Sequence, residues 1–274
     1  MLAPWVIEHF PPHRVYVELF GGAGSVLMRK PRSYAEVFND LDGDIVNVFR
    51  LLRDPVTART LAQQLELTPW SREEFRESYS PAADPVERAR RTIVRAYMGF
   101  GTTSRKANRT GFRAVPWRGR GGSRTNTGVD DWLNYPQAIP AFVERLRGVS
   151  IEHRPASEVL RQQDCDDALF YVDPPYPMST RSSMRRRNDR ERAYVHEMDD
   201  DGHRELAIAL RAAQGMVVVS GYACDLYDRE LFPDWHRETR EALADGARRR
   251  TEVLWMNPAA VRARESLFAP RAST

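Results

Sequence analysis

Short apolar runs alternate along this chain with longer stretches of helical spacing. Residues 15–20 (Val-Tyr-Val-Glu-Leu-Phe) read as a strand, bounded by Pro11-Pro12 before it and Gly21-Gly22 after it. Residues 24–30 then look helical, and Ala35-Glu-Val-Phe38 reads as a second short strand. Ile45, Val46, Val48, Phe49, Leu51 and Leu52 recur at the helical period over 44–53. Helical patterns continue through 56–65, 71–78 and 84–99, the last with Asp84 as N-cap and Pro85 at the first helical position. The pattern breaks at 100–131, which is rich in Gly, Thr, Asn and Arg and poor in aliphatic residues. A loop of that length inside a compact domain is functional or disordered. Order returns near 136–147. Strand-like runs follow at 149–152, 168–172 and 216–220, separated by helices at 155–161 and 202–213, with Trp255 and Asn257 marking core and turn at a final strand. Strands alternating with helices predict an α/β fold with a mostly parallel sheet. The run Ala168-Leu-Phe-Tyr-Val172 is apolar enough to be buried on both faces.

Two motifs sit at strand ends. Phe20-Gly-Gly-Ala-Gly-Ser25 follows the first strand, where glycines allow a tight turn and close approach of a ligand to the backbone. It is neither the Gly-x-Gly-x-x-Gly dinucleotide fingerprint nor a phosphate loop, for which Lys30 is misplaced. Asp40, just after the second strand, stands where a carboxylate accepts hydrogen bonds from ribose hydroxyls, with Asp42 as the alternative. Asp173-Pro174-Pro175-Tyr176 follows the buried strand directly. Its prolines fix φ, remove two donors and hold the residue before each out of the helical region. The turn stands at the carboxyl end of a strand, where open α/β sheets bind ligands. The Asp carboxylate and the carbonyl between the prolines are acceptors there, and the Tyr ring is a stacking surface. Two acceptors beside an aromatic plane suit an exocyclic amino group on a flat base.

The order Phe20-Gly-Gly-Ala-Gly-Ser25, Asn39-Asp40-Leu41-Asp42, basic segment, Asp173-Pro-Pro-Tyr176 resembles that of the Dam-like adenine-N6 DNA methyltransferases, from Leu2 to about Pro258. Asn108-Arg-Thr-Gly-Phe-Arg113 is similar to part of that family's target-recognition insert, and Ser220-Gly-Tyr222 to a later strand-end motif lining the pocket. The resemblance implies a Rossmann-like methyltransferase sheet interrupted by a mainly helical recognition region. The expected divisions are 1–57, 58–149 and 150–274. It also implies site-specific methyl transfer from S-adenosylmethionine to N6 of an adenine flipped out of duplex DNA. Phe20, Gly21, Gly22, Ala23, Gly24, Ser25, Asp40 and Asp173 would hold the cofactor. Asp173, Pro174, Pro175 and Tyr176 would act on the base, and no metal is implied. The family normally begins with a Gly-Gly-Lys segment that helps hold the cofactor. Here Met1-Leu-Ala-Pro follows just after that place, and Leu19 stands where proline is common, so weak cofactor binding by this chain is expected.

Charge adds a location to this reading. The 274 residues hold 41 Lys and Arg against 38 Asp and Glu, a net +3, and only Lys30 and Lys106 are lysines. Residues 101–124 carry Arg105, Lys106, Arg109, Arg113, Arg118, Arg120 and Arg124 without an acid, a local +7. Residues 181–192, with Arg185-Arg-Arg187, carry a local +4; removing both segments leaves the remainder at −8. Such asymmetry points to a polyanion. Arg105, Lys106, Asn108, Arg109, Arg113 and Arg118 are the candidate DNA contacts, since Arg bonds phosphates or guanine edges and Asn pairs with adenine. Cys165 and Cys224 are the only cysteines, which excludes a disulfide framework and suits a reducing cytoplasm. The six histidines show no close ligand spacing, and no apolar run approaches the roughly 20 residues of a membrane span. Duplex DNA and a restriction endonuclease are the expected partners, and a monomer the expected state. The competing functions are methylation of guanine N2 in ribosomal RNA and DNA binding without catalysis.

Overall fold

The computed structural model describes residues 2–99, 111–114, 127–180, 196–244 and 248–268. In chain order the elements are α1 (Ala3–Glu8), β1 (Val15–Glu18), β2 (Ala35–Asn39), α2 (Gly43–Leu52), α3 (Pro55–Glu66), α4 (Arg72–Glu77), α5 (Pro85–Met98), α6 (Thr127–Leu146), β3 (Val149–Glu152), α7 (Ala156–Gln163), β4 (Ala168–Val172), α8 (Asp200–Ala212), β5 (Met216–Tyr222), β6 (His236–Ala244), β7 (Arg248–Met256) and α9 (Pro258–Phe268). They divide between two compact units, one holding Met1–Leu41, Gly148–Arg190 and His196–Thr274, the other Asp42–Arg147 and Glu191–Val195. The division after residue 57 expected from the resemblance falls inside α3, because α2 packs on α5 and α3 on both α5 and α6.

The first unit is a seven-stranded sheet of order β3-β2-β1-β4-β5-β7-β6. β3, β2, β1, β4 and β5 pair in parallel, and β7 lies antiparallel between β5 and β6. Strand order reverses between β1 and β4, and the crevice outside the carboxyl ends of such strands is the ligand position of open α/β sheets. Paired residues on neighbouring strands share a face, and the face alternates along each strand. One face carries Val17, Leu19, Ala168, Phe170, Val172, Val217, Val219, Val253 and Trp255. They are sealed by Val159 and Leu160 of α7, by Leu206 and Leu210 of α8, and by Tyr227, Leu231 and Phe232. The opposite face carries the polar series Tyr16, Glu18, Glu36, Tyr171, Ser220 and Glu252, all buried. The register sets Tyr16 opposite Glu36, Glu18 opposite Tyr171, and Tyr222 opposite Glu252.

Most expected elements are present, with Asp84 capping α5 through Glu87 N and Pro85 in its first turn. Residues 24–30 are a correction. They form consecutive turns, because Gly22 (φ 51°) and Gly24 (φ 63°) are left-handed. In addition, Leu27 N–H donates to Glu18 Oε2 (3.0 Å) instead of continuing a helical ladder. α1, β6 and α9 lie where the pattern gave no element, and α6 begins at Thr127, before the expected 136.

In the second unit, Trp70, Phe75, Tyr97, Phe112, Trp132 and Tyr135 form a connected set of ring contacts. Ion pairs line α5: Arg90 bridges Glu74 and Glu87, and Arg91 bridges Glu77 and Glu87.

Buried Asn257 ties β5 to α9. Its Oδ1 accepts from Val217 N (3.0 Å) and Ala260 N (2.9 Å), and its Nδ2 donates to Gly215 O (2.9 Å). Asn257→Ala leaves these backbone groups without partners. It is expected to cost about 2–4 kcal/mol, read as a lower urea midpoint at unchanged slope.

Candidate active site

The glycine loop is set by what its backbone must touch. Gly21 N–H donates to Asn39 O (2.8 Å), which draws the loop onto the end of β2. A β-carbon at Gly21 would stand 2.1 Å from the ring of Phe38, a fully buried residue, so only glycine fits. Gly22 N–H donates to Asp40 Oδ2 (2.7 Å). The Asp40 carboxylate thus stands at the loop, at the carboxyl end of β2. Asp42 is engaged differently: its side chain accepts from Asp44 N (2.8 Å) as the N-cap of α2. Ala23 and Ser25 are exposed and Gly24 is buried, while Phe20 packs against the apolar cluster.

Asn39 was quoted within its motif but given no role from sequence. Its Nδ2 donates to Leu19 O (2.9 Å) and Arg154 O (3.0 Å), and its Oδ1 accepts from Arg154 N (3.1 Å). One buried amide therefore fixes the exits of β1 and β2 and the turn leading into α7. Lys30, the misplaced phosphate-loop lysine, is a structural residue. Its ammonium is buried against Glu36 (2.8 Å), Ser33 Oγ (2.8 Å) and the Pro31 carbonyl, 4.4 Å from the centre of the Tyr16 ring.

Glu18 also lacked a sequence role. Its Oε2 accepts from the Tyr16 hydroxyl (2.8 Å) and from Leu27 N, so it joins the end of β1 to the loop. Burial raises its carboxyl to about 8, although both hydrogen bonds act to lower it; the charge of Asp173 adds to the rise. A buried acid on an otherwise apolar strand was the available signal.

Asp173 follows β4 with Pro174 buried, and Pro175 and Tyr176 half-buried. Its Oδ1 is buried and has no hydrogen-bond partner among the described residues. Burial raises its carboxyl to about 6, and the neighbouring hydroxyls of Ser220 and Tyr176 act to lower it. The Tyr176 ring meets that of Tyr222 edge-on, centroids 4.7 Å apart. The first unit thus brings together the glycine loop, Asp40, Asp173 and an aromatic pair at the carboxyl ends of β1, β2, β4 and β5. Such a set offers carboxylates for hydroxyl and amino groups and flat rings for a flat base. A carboxyl near 6 is an acceptor at neutral pH that still takes up a proton readily, a property characteristic of functional sites.

Of the candidate DNA contacts, only Arg113 lies among the described residues. It belongs to the second unit, where its N–H donates to Met98 O (2.7 Å) and its carbonyl accepts from Trp70 Nε1 (3.0 Å). Arg105, Lys106, Asn108, Arg109, Arg118 and the Arg185-Arg-Arg187 run lie outside the described residues. Among the described residues no cluster of His, Cys, Asp and Glu is arranged to hold a metal ion, and no helix is long and apolar enough to cross a membrane.

Comparison with known families finds a model described as D12 class N6 adenine-specific DNA methyltransferase, which matches residues 1–243. No curated protein matches the chain.

The Glu18 carboxyl fixes the sign of one pH dependence. Its folded-state pKa, about 8, lies above the ordinary 4.5. Between those values the unfolded chain ionises while the folded one keeps its proton, so stability falls as pH rises through that window. Glu18→Gln has no such proton to lose. Urea unfolding at pH 4.5 and pH 8 is expected to show the variant gaining on the wild type at the higher pH. An unchanging difference would mean that Glu18 is ionised in the fold.

Proposed function

Because the chain belongs to the D12 class N6 adenine-specific DNA methyltransferase family, we propose that its first unit binds S-adenosylmethionine across the glycine loop and presents the target amine to Asp173. The family is one of DNA adenine methyltransferases, enzymes that in general use S-adenosylmethionine. The observation that carries the assignment of Asp173 is its Oδ1, a buried acceptor without a partner among the described residues, at the switch point of the sheet. An orphaned buried acceptor is costly unless a ligand donor meets it.

The residues present fit the cofactor. Phe20, Gly21, Gly22, Ala23, Gly24 and Ser25 form the loop against which it would lie, Asp40 is an acceptor for its ribose hydroxyls, and Asp173 adds negative charge on the side of its cationic groups. When bound, it supplies a methyl group on a sulfonium, already activated for transfer. The target base must leave the stack for its amino group to be reached. Asp173 Oδ1 and the Pro174 carbonyl then accept the two N6 hydrogens. This draws the nitrogen lone pair away from the ring and turns it towards the methyl group. Pro175 stiffens the turn and Tyr176 offers its ring to the base. Catalysis of this kind rests on positioning and on preorganised acceptors. After transfer the nitrogen is cationic and loses a proton, which a carboxyl titrating near 6 is suited to take. DNA is held, in this reading, by Arg105, Lys106, Asn108, Arg109, Arg113 and Arg118.

Labelled S-adenosylmethionine with duplex DNA tests the reading. Transfer by the wild type is expected, with loss of at least about a hundredfold on Asp173→Ala. Asp40→Ala is expected to weaken cofactor binding, read by calorimetry, while leaving duplex binding intact. Transfer that survives Asp173→Ala would exclude this role for the carboxylate.

If the seven cations of residues 101–124 meet phosphates, log affinity for duplex DNA should fall against log salt with a slope approaching about −6. An affinity flat between low and moderate salt would remove that segment from the interface.

A further inference from the structure

We propose that Asn39 and His153 are positioning residues for the cofactor. Acting on either side of Asp40 in the chain, they tie the end of β2 to the glycine loop and to the turn after β3, so that the ribose acceptor is in place before the cofactor arrives. The inference rests on the assignment of Asp40 and the glycine loop to the cofactor and goes beyond it to what holds them.

Residues 39 and 40 grip the loop at three of the four positions 19–22. Asn39 Nδ2 donates to Leu19 O (2.9 Å), Gly21 N–H donates to Asn39 O (2.8 Å), and Gly22 N–H donates to Asp40 Oδ2 (2.7 Å). The register of β1 with β2 is last paired at Glu18 and Phe38. The Asn39 side chain thus carries the pairing one step past the strands, to where the glycine loop begins.

On its other side β2 meets the turn after β3. Parallel pairing sets Asn39 opposite Glu152, which brings the next two residues alongside the Asp40 stretch. Asn39 Nδ2 donates its second hydrogen to Arg154 O (3.0 Å), and Oδ1 accepts from Arg154 N (3.1 Å). His153 Nε2 lies 3.0 Å from Leu41 O; a carbonyl only accepts, so the imidazole donates there. Asp40 is therefore held between two anchored neighbours. The turn is itself tethered, since the Arg154 guanidinium pairs with Glu152 (3.1 Å) and bonds Gln162 of α7.

Hydrogen counting makes position 39 specific to asparagine. Both Nδ2 hydrogens go to carbonyls and Oδ1 meets an N–H, so the amide has one workable orientation. A carboxylate there would face two carbonyl oxygens, and an aliphatic side chain would leave three backbone groups without this partner in a buried place. A site whose acceptors are already ordered avoids the cost of ordering them at binding. Loosening the clamp should therefore weaken cofactor binding and spare the chemical step. A role in stability alone predicts the reverse. A smaller folded fraction lowers kcat and leaves KM, whereas loss of uniform binding raises KM and leaves kcat.

Asn39→Ala, His153→Ala, His153→Gln and Asp40→Ala are compared with the wild type in three measurements. Hydrogen exchange of the ligand-free protein is expected to show the Gly21 and Gly22 amides exchanging about tenfold faster in Asn39→Ala. Calorimetry with S-adenosylmethionine should give a Kd raised about tenfold in Asn39→Ala and about threefold in His153→Ala. His153→Gln keeps a donor at the reach of Nε2 and should restore the wild-type Kd. In transfer to duplex DNA, the cofactor KM should rise with Kd while kcat stays within about twofold. Asn39→Ala should add less in the Asp40→Ala background than alone, because it acts in part through Asp40. A Kd unmoved in Asn39→Ala, with only the urea midpoint lowered, would overturn the proposal. Should that variant not fold, the exposed His153 decides, and a Kd unmoved in His153→Ala overturns it. A Kd unmoved in Asp40→Ala would instead overturn the assignment of Asp40 to the cofactor, so the two failures are distinguishable.

Discussion

The parallel pairing of β1 with β4 is the constraint from which the site follows. It sets Glu18 opposite Tyr171 and ends both strands at the point where strand order reverses. The glycine loop then leaves from one strand and the Asp-Pro-Pro-Tyr turn from its neighbour. A slip of one residue would send Tyr171 and Glu18 to the other face and bring Phe170 and Val172 out of the apolar cluster. Nineteen or so buried apolar side chains on one face therefore hold the register that places a handful of polar ones on the other.

That second face is expensive. Glu18 and Asp173 are carboxyls at adjacent strand ends, and both are pushed towards neutrality by burial. Hydrogen bonds from the Tyr16 hydroxyl and Leu27 N–H offset part of the cost for Glu18, and the neighbouring hydroxyls of Ser220 and Tyr176 act to lower the carboxyl of Asp173. Lys30 balances Glu36 in the same layer. Among the described residues Asp173 Oδ1 is left buried without a hydrogen-bond partner, and a buried orphan of that kind calls for an explanation.

Much of this was legible beforehand, for identifiable reasons. β4 announced itself because a strand buried on both faces has no polar residue to blur its pattern, and α5 because Asp84 and Pro85 mark its start. The loop and the Asp-Pro-Pro-Tyr turn were visible because glycine and proline restrict the backbone in ways that survive without context. β6 was hidden because its residues, His-Arg-Glu-Thr-Arg-Glu-Ala-Leu-Ala, are those of an exposed edge or a loop, and only pairing with β7 makes it a strand. The turns at 22–30 were hidden because a non-local acceptor, Glu18, took the N–H of Leu27. The contacts of Asn39 with Leu19 and Arg154, and of Tyr171 with Ser220, join residues 20 to 115 positions apart, and spacing along the chain holds no record of such pairings.

The Asn39 clamp has a consequence for how such a protein tolerates change. The chain leaves the sheet unit after Leu41 and returns at Gly148, between two strands that are hydrogen-bonded neighbours. Parallel pairing of β2 with β3, locked at the exits of both strands by the Asn39 amide on Arg154, holds the strands from which that excursion leaves and to which it returns. Closing a longer or shorter excursion between these strands changes the entropy only logarithmically. The segment between them can be lengthened, trimmed or exchanged at small cost to the sheet. The excursion is thus free to diverge in length and composition, while the strands that set Glu18 opposite Tyr171 are not.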